Sequence, residues 1–148
     1  MSHQDWMRLA LEEAQIAFEL GEVPIGAVVV QKGEIIAKAH NEKEQRQDPT
    51  AHAEVLAVQR ATKALGAWRL SDATLYVTLE PCPMCAGSLV QARLKTLVFG
   101  AADIKGGAVG SVTNVLDVNR WNHCIEVVAG VLEEECSQLL KDFFRKLR

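Results

Sequence analysis

The first part of the chain carries one helical and two extended patterns of apolar residues. Between residues 4 and 20 the apolar side chains recur at the spacing that places them on one helix face, and Gly21 supplies a stop. Residues 25–30 are apolar on both faces, which is typical of a buried strand. After a turn over residues 31–33, residues 34–40 return as a second strand, so this part predicts a helix followed by a β-hairpin.

Helical and extended patterns then alternate to the end of the chain. A polar loop is expected over residues 42–47 and a glycine-rich loop over residues 100–110. Three further long helices, three further strands and one short helix are predicted between and after these loops. The long helices are expected at 50–65, 82–93 and 132–147, the strands at 74–78, 96–99 and 125–129, and the short helix at 112–118.

This order of elements predicts an α/β fold. Strands that alternate with helices pair in parallel, whereas a hairpin is antiparallel, so the sheet should be mixed. We expect a three-layer α/β/α sandwich with a central mixed five-stranded sheet, formed by a single domain that spans residues 1–148. Ligand sites in such sheets lie beyond the carboxyl ends of strands, where Asn41, Leu79 and the loop after Phe99 are expected.

Composition narrows the classes of function. The chain has a net charge of −3, so contact with RNA would have to come from a local patch. No apolar run approaches the length of a membrane span and the N-terminal start is polar, so we expect no membrane contact and a cytoplasmic location. Four cysteines without an export signal favour reduced thiols and metal binding. Cys124 and Cys136 are interpreted as core thiols.

The candidate chemistry lies in two short motifs, His52-Ala53-Glu54 and Pro81-Cys82-Pro83-Met84-Cys85. Catalytic zinc sites use three protein ligands and keep a position for water, whereas structural sites use four ligands. We predict that His52, Cys82 and Cys85 bind Zn²⁺ and that Glu54 moves protons. A structural zinc knuckle, or a thiol pair without metal in a core, is the competing interpretation.

The context of both motifs predicts helix N-termini. Residues 48–51 are interpreted as a helix start capped by Asp48 or Thr50, with His52 and Glu54 in the first turn. A second helix that starts near Cys82 would place both motif sulfurs on one face. The positive end of that helix and the metal both favour thiolates.

Glu54 is predicted to act as the proton shuttle of a hydrolytic reaction. Zinc lowers the pKa of a bound water to around neutrality. Glu54 would take a proton from that water, deliver it to a ring nitrogen and help to protonate a leaving amine. Alone, a carboxylate in a first helical turn indicates only a favourable interaction with the helix dipole, but its position beside His52 favours the catalytic interpretation.

The two motifs together resemble the signature of the zinc-dependent nucleoside and nucleobase deaminases, which have a cytidine deaminase-like fold. Over nearly its whole length the chain also resembles the bacterial tRNA-specific adenosine deaminases. That closer resemblance is carried by residues 22–28, 48–54, 72–87, 99–101 and 142–145. The loop over residues 103–111 and the Phe-Phe-basic ending favour the tRNA branch.

The resemblance implies hydrolysis of adenosine to inosine at the wobble position, the first anticodon position, of tRNA, with release of ammonia. It implies one Zn²⁺ per subunit and a homodimer in which both subunits hold the anticodon stem-loop, whose bases are splayed out and read individually. It also implies that Asn41 contacts the target nucleoside and that Val23, Leu79 and Asp103 lie near the flipped nucleotide.

Three of the predicted substrate contacts have a simpler interpretation. Asn41 is equally typical of a residue that caps a turn, and Asp103 of one that orders a loop. Phe144 is predicted to stack on a base, but an aromatic residue that packs a terminal helix is as typical. The cations around it, which would contact phosphates or stabilise the helix C-terminus, are Lys141, Arg145, Lys146 and Arg148.

Two other functions remain open at this point. A deaminase of free bases or nucleosides, such as guanine or cytosine, would use the same zinc site and would suit the negative net charge. A non-catalytic RNA-binding or zinc-stabilised scaffold module would bind zinc without turnover. Ammonia release from free bases, inosine formation in a stem-loop, or neither, distinguishes the three.

Overall fold

The computed structural model describes residues 1–117 and 123–147. The elements alternate much as the sequence predicts, with ten helices and strands in these ranges. In chain order they are α1 (His3–Glu19), β1 (Gly26–Gln31), β2 (Glu34–His40), α2 (Lys43–Arg46), α3 (Ala53–Leu65), β3 (Ala73–Leu79), α4 (Pro83–Gln91), β4 (Thr96–Ala101), β5 (Glu126–Ala129) and α5 (Glu133–Lys146).

The strands of the described ranges form one mixed sheet in the order β2-β1-β3-β4-β5. Strand β1 pairs antiparallel with both β2 and β3. Strands β3 and β4 pair in parallel, as do β4 and β5. The predicted mixed five-stranded sheet is therefore confirmed: helix α4 connects the parallel strands β3 and β4, and among the described residues the connection from β4 to β5 contains no helix.

Helices cover both faces of the sheet. Successive residues of β1 divide between two apolar clusters, because side chains alternate across a strand: Val29 belongs to one cluster and Val28 to the other. The first cluster takes its helical residues from α3 and α4, and the second takes them from α1 and α5. The three-layer α/β/α sandwich is confirmed. Among the described helices, none combines the length and the apolar character needed to cross a bilayer.

Helix α1 packs closely on β1 because Gly26 has no side chain. A Cβ at Gly26 would overlap the carbonyl oxygen of Ala10. The helix begins with a capping box, in which Ser2 Oγ accepts a hydrogen bond from the Asp5 amide at 3.2 Å and the Asp5 carboxylate accepts one from the Ser2 amide at 2.8 Å. Gly21, with φ +78°, follows the helix end.

Helix α2 lies where the sequence predicted only a polar loop. The buried carboxylate of Glu22 accepts hydrogen bonds from the amides of Glu44 and Gln45 at 2.9 and 2.8 Å. These amides belong to the first turn of α2, so Glu22 satisfies donors that a helix start leaves free. A capping group 22 residues away in the chain has no local sequence pattern.

Helix α3 begins at Ala53, so the predicted start near Thr50 is wrong. Asp48 Oδ1 accepts hydrogen bonds from the amide and the hydroxyl of Thr50, at 2.8 and 2.7 Å. This local turn uses the polar groups that were expected to cap the helix. His52 is the N-cap residue instead.

The predicted short helix over residues 112–118 is also wrong for residues 112–117, and Val118 lies outside the described residues. Residues 112–117 form bends and irregular backbone, with a bridge between Val109 and Asn114. The Val112 amide bonds to the Gly107 carbonyl at 2.9 Å and the Val115 amide to the Ala108 carbonyl at 2.8 Å. Bonds across the loop replace the bonds of a helix.

Candidate active site

His52 lies at the start of α3 and makes no side-chain capping bond. The preceding segment is fixed by the Ala51 carbonyl, which accepts a hydrogen bond from the Glu42 amide at 3.0 Å. The Leu56 amide bonds to the His52 carbonyl at 3.0 Å, so the backbone of His52 belongs to the helix while its ring is available for other contacts.

Cys82 occupies the matching position at the start of α4. It is the N-cap residue, Pro83 follows in the first turn, and the Ala86 amide bonds to the Cys82 carbonyl at 2.8 Å. Cys85 comes one turn later and is fully buried, whereas Cys82 is half-buried. The prediction that this helix starts near Cys82 agrees with the structure.

The two helix starts bring the predicted ligands together. His52 Nδ1 lies 3.6 Å from Cys82 Sγ and 3.4 Å from Cys85 Sγ. With zinc–nitrogen and zinc–sulfur bonds of about 2.0–2.3 Å, neighbouring nitrogen and sulfur ligands of a tetrahedral ion lie about 3.6 Å apart. Within residues 1–117 and 123–147, no other group of three His, Cys, Asp or Glu side chains has a comparable metal-binding arrangement. The donor types and their spacing fit zinc.

Contact between the two sulfurs moves their pKa values in opposite directions. A hydrogen bond from the Cys85 thiol stabilises the Cys82 thiolate and, with His52 as a further cause, lowers the pKa of Cys82 to about 5. The same contact and burial raise the pKa of Cys85. A divalent cation favours the thiolate at both residues, because it replaces the proton that the pair would otherwise share.

Glu54 is buried beside this cluster, with 4% of its surface exposed. Its Oε1 has no hydrogen-bond partner among the described residues. Burial raises the pKa of Glu54 to about 7, and the nearby charge of Cys82 acts in the same direction. Buried polar atoms are nearly always hydrogen-bonded in native proteins, so an unpaired carboxylate oxygen marks a place for a water or a substrate group.

Glu80 follows β3 and precedes the cysteine motif, and neither motif identified it as a functional residue. It is 3% exposed, and its carboxylate accepts hydrogen bonds from the amides of Asp103, Val109 and Ser111 at 3.0, 2.9 and 3.1 Å and from the Ser111 hydroxyl. Burial alone would raise the pKa of Glu80, but these bonds outweigh it and hold the pKa below its usual value. The sequence pattern that could have identified Glu80 is an acidic residue directly after a buried strand.

Four of the predicted substrate contacts share one cavity. Val23, Leu79, Asp103 and Phe144 all line a cavity of about 700 Å³ beyond the carboxyl end of β3. The lining does not include the three predicted zinc ligands or Glu54. Leu79 ends β3 and lies three residues before Cys82 in the chain, so the cavity and the His-Cys-Cys cluster both lie toward the carboxyl end of this strand.

Asn41 does not line that cavity but supports one of its walls. Its Nδ2 donates a hydrogen bond to the Val23 carbonyl at 3.3 Å, and its Oδ1 accepts one from the Lys43 amide at 3.1 Å. The side chain is buried and forms part of the contact between residues 22–25 and α2. Its predicted contact with the target nucleoside stays a prediction.

The aromatic pair of α5 divides between two roles. Phe143 is buried and packs edge-on against Phe18, with ring centroids 5.6 Å apart. Phe144 is 47% exposed and lines the cavity. Phe143 therefore packs the helix, and the stacking of Phe144 on a base stays a prediction. Arg148, which belonged to the predicted basic cluster, lies outside the described residues.

The two remaining cysteines differ from each other. Cys136 is buried, as expected for a core thiol, and burial raises its pKa to about 12. Cys124 is exposed, so its interpretation as a core thiol is wrong. It precedes β5 rather than lying within it, and the apolar burial begins with Ile125.

Comparison with known proteins gives relatives over the whole chain. Residues 1–148 match the family model of the MafB19-like deaminases. A tRNA-specific adenosine deaminase of Bacillus subtilis (strain 168) is 59% identical over 143 residues, which cover 97% of this chain and 89% of that protein.

Solved structures agree with this likeness. A chain studied for A-to-I editing by tRNA deaminases at the wobble position of transfer RNA has a TM-score of 0.88 and 45% identity, over 91% of this chain and 98% of that one. A guanine deaminase of Bacillus subtilis has a TM-score of 0.68 and 33% identity, over 99% of this chain and 95% of that one.

Proposed function

This chain belongs to the MafB19-like deaminases and, within them, to the tRNA-specific adenosine deaminases, and on that premise we propose that it hydrolyses adenosine to inosine at the wobble position of tRNA. The reaction consumes one water and releases one ammonia, because the exocyclic bond between a ring carbon and the amino nitrogen breaks as a C–O bond forms at the same carbon. The proposed location is the cytoplasm, where such a tRNA substrate is found.

Zinc is the proposed cofactor, with one ion per subunit. His52, Cys82 and Cys85 would hold it, since their nitrogen and sulfur atoms have the separation that a tetrahedral ion requires. When bound, the ion supplies a water whose pKa lies near neutrality. Three protein ligands leave a position for that water, which is the pattern of a catalytic rather than a structural site.

The mechanism depends most on one feature, the unpaired Oε1 of buried Glu54. This oxygen accepts a proton from the attacking water, and the carboxyl group then passes the proton to a ring nitrogen of adenine. A second transfer through the same group protonates the departing amine, which would otherwise be a poor leaving group. The position of Glu54 two residues after His52, inside the first turn of α3, holds it beside the cluster.

The cavity lined by Val23, Leu79, Asp103 and Phe144 is proposed to bind the nucleotides around the target base. Phe144 presents an exposed aromatic ring, and Lys141 and Arg145 line a second recess with it on α5. An aromatic ring beside cations suits single-stranded RNA, because bases stack on rings while phosphates attract positive charge. This local patch provides positive charge for contact with RNA, although the net charge of the whole chain is −3.

A homodimer of single-domain subunits, each spanning residues 1–148, is part of the proposal. Trp68 is 57% exposed and lines a groove with Val55 and Val58 of α3. A second copy of the chain is the proposed occupant of this groove, in keeping with the homodimers of the family. Light scattering on the purified protein tests this, and a mass equal to one chain would contradict it.

The substrate is tested by incubating the zinc-loaded protein with an anticodon stem-loop that carries adenosine at the wobble position. Sequencing should show conversion of that adenosine to inosine, with release of an equal amount of ammonia. The same stem-loop with guanosine at that position is the matched control and should release none.

A free-base deaminase is the second candidate, because a guanine deaminase shares the fold at 33% identity. Guanine and cytosine are therefore assayed for ammonia in parallel. Turnover of a free base without conversion of the stem-loop would replace the proposed substrate, whereas no turnover of any substrate would support a non-catalytic module.

A further inference from the structure

The loop over residues 103–111 is hydrogen-bonded to one buried carboxylate, that of Glu80. Glu80 accepts hydrogen bonds from backbone amides at both ends of this loop, those of Asp103 and Ser111, and from the Val109 amide between them. The Ser111 hydroxyl adds another bond. Hydrogen bonds to an ionised acceptor are stronger than neutral ones, so a single side chain closes the loop into a fixed shape.

The loop is also shaped to fit this carboxylate. Gly107 lies so close to Glu80 that a Cβ on it would overlap the carboxyl group. A free carboxylate could move aside, but this one is held by its hydrogen bonds, and moving it would break them. The Ala108 amide bonds to the Pro81 carbonyl at 2.8 Å, which keeps the same part of the loop against the backbone next to Glu80.

The loop over residues 103–111 forms one wall of the proposed substrate cavity. Asp103, Ile104 and Lys105 line this cavity, whereas Glu80 does not. The Asp103 side chain is itself occupied within the loop, since its Oδ1 accepts hydrogen bonds from the amides of Lys105 and Gly106 at 3.2 and 3.1 Å. Glu80 therefore does not contact a ligand in the cavity directly, and its hydrogen bonds connect it to the cavity through the loop.

We propose that Glu80 is a positioning residue that sets substrate affinity, because it fixes residues 103–111 as a wall of the cavity. This inference rests on the proposed function, since the cavity is taken to bind the substrate. The loop does not contribute the predicted zinc ligands or Glu54, so its displacement weakens binding more than it slows the chemical step. Removal of contacts that are equal in the ground and transition states raises KM and leaves kcat unchanged.

The principal test is Glu80→Gln. The side chain of glutamine has one acceptor oxygen and one NH₂ donor group. The NH₂ group would lie against backbone N–H groups that are themselves donors, so the glutamine cannot accept all the hydrogen bonds that Glu80 accepts. We expect KM for the anticodon stem-loop to rise about tenfold or more, with kcat within about threefold of the parent value. Zinc content should stay at one ion per chain. Amide exchange at Asp103, Val109 and Ser111 should become faster.

Gly107→Ala tests the same contact from the loop side. Its Cβ would displace the Glu80 carboxylate or the loop, so the same rise in KM is expected without any change of charge. Leu94→Val is the matched control for general loss of stability. Leu94 is fully buried and precedes β4, at the opposite end of the sheet from the cavity, so its variant should melt earlier but keep the parent KM.

Three results would overturn the inference. Loss of zinc from Glu80→Gln would mean that Glu80 acts on the nearby Cys82 instead of the loop. An equal rise in KM in Leu94→Val would mean that stability alone controls KM, and an unchanged KM in Glu80→Gln would mean that the loop does not bind substrate. If the parent protein converts guanine and not the stem-loop, the proposed function fails, but the same comparison of KM and kcat on guanine still decides the role of Glu80.

Discussion

Two buried glutamates near the same site have opposite environments. Glu54 and Glu80 are 4% and 3% exposed, so burial by itself does not distinguish them. The Oε1 of Glu54 has no partner, and burial raises its pKa to about 7. The carboxylate of Glu80 accepts hydrogen bonds from three backbone amides and one hydroxyl, and its pKa is lowered.

The difference teaches how a fold separates a reactive carboxylate from a structural one. An unpaired buried polar atom costs about 1–3 kcal/mol, so it persists where something other than the protein uses it. A carboxylate whose oxygens already accept hydrogen bonds from backbone amides has few acceptor sites left for a substrate, but it can hold a loop in place. The two glutamates are therefore proposed to have different roles, proton transfer for Glu54 and the shape of the cavity for Glu80.

The largest expected effect comes from removing the metal that Glu54 is proposed to serve. Cys82→Ala deletes one of the three proposed ligands, so zinc content should fall from one ion per chain to nearly none and deamination should be lost. Elemental analysis of the purified protein measures this. Cys124→Ala is the matched control, because Cys124 is exposed and outside the cluster, and it should keep both zinc and activity. Full zinc content in Cys82→Ala would remove this ligand.

The next largest effect tests the unpaired oxygen of Glu54. Glu54→Gln keeps the size of the side chain but cannot accept and return a proton, so kcat should fall about 10²–10⁴-fold while zinc content is unchanged. Glu80→Gln makes the same chemical change at a glutamate that is equally buried, and its kcat should be nearly preserved. Similar loss of kcat in both variants would abolish the proposed division between them.

A smaller effect concerns stability and pH. The pKa of Glu80 is lowered by folding, so its hydrogen bonds stabilise the protein above the pKa of an unfolded glutamate, about 4.3, and lose that contribution as pH falls through the folded value. At pH 7, Glu80→Gln should reduce the free energy of unfolding by about 2 kcal/mol. The difference from the parent should shrink below about pH 4. Denaturant titrations at several pH values measure this, and a constant difference would contradict the ionised network.

The smallest expected effect comes from the part of the cavity wall that belongs to α5. Phe144→Ala removes an exposed ring and should raise KM by about fivefold, which corresponds to about 1 kcal/mol, the lower end for stacking on a base. Its melting temperature should stay near that of the parent. Combined with Glu80→Gln, the two effects on KM should multiply, since the residues act on different walls. A melting temperature well below that of the parent would show that Phe144 packs the helix instead.

The chain pattern predicts most of this fold because each long element carries its own period. The hairpin, the alternation of helices and strands and the mixed sheet follow from apolar spacing and glycine stops. The His-Cys-Cys cluster could also be predicted from local sequence patterns, because His52 and Cys82 are N-cap residues of two helices and Cys85 lies one turn after Cys82. Their roles as zinc ligands stay a prediction until metal is measured.

The features that local patterns missed depend on partners far away in the chain. Helix α2 exists because Glu22 caps it from 22 residues away. The irregular segment that replaces the predicted helix after residue 111 depends on hydrogen bonds across the loop. The loop in turn depends on Glu80, 31 residues before Ser111. Adjacent phenylalanines differ in burial because only Phe143 meets Phe18.

The sequence by itself determined the elements, their order and the types of atom available for chemistry, since these follow from spacing along a single helix or strand. Only the tertiary structure decided that Glu54 keeps an oxygen without a hydrogen bond, whereas the carboxylate of Glu80 accepts hydrogen bonds from backbone amides. Side-chain identity sets what a carboxylate is able to do, but the backbone donors that surround it after folding determine which of those roles it performs.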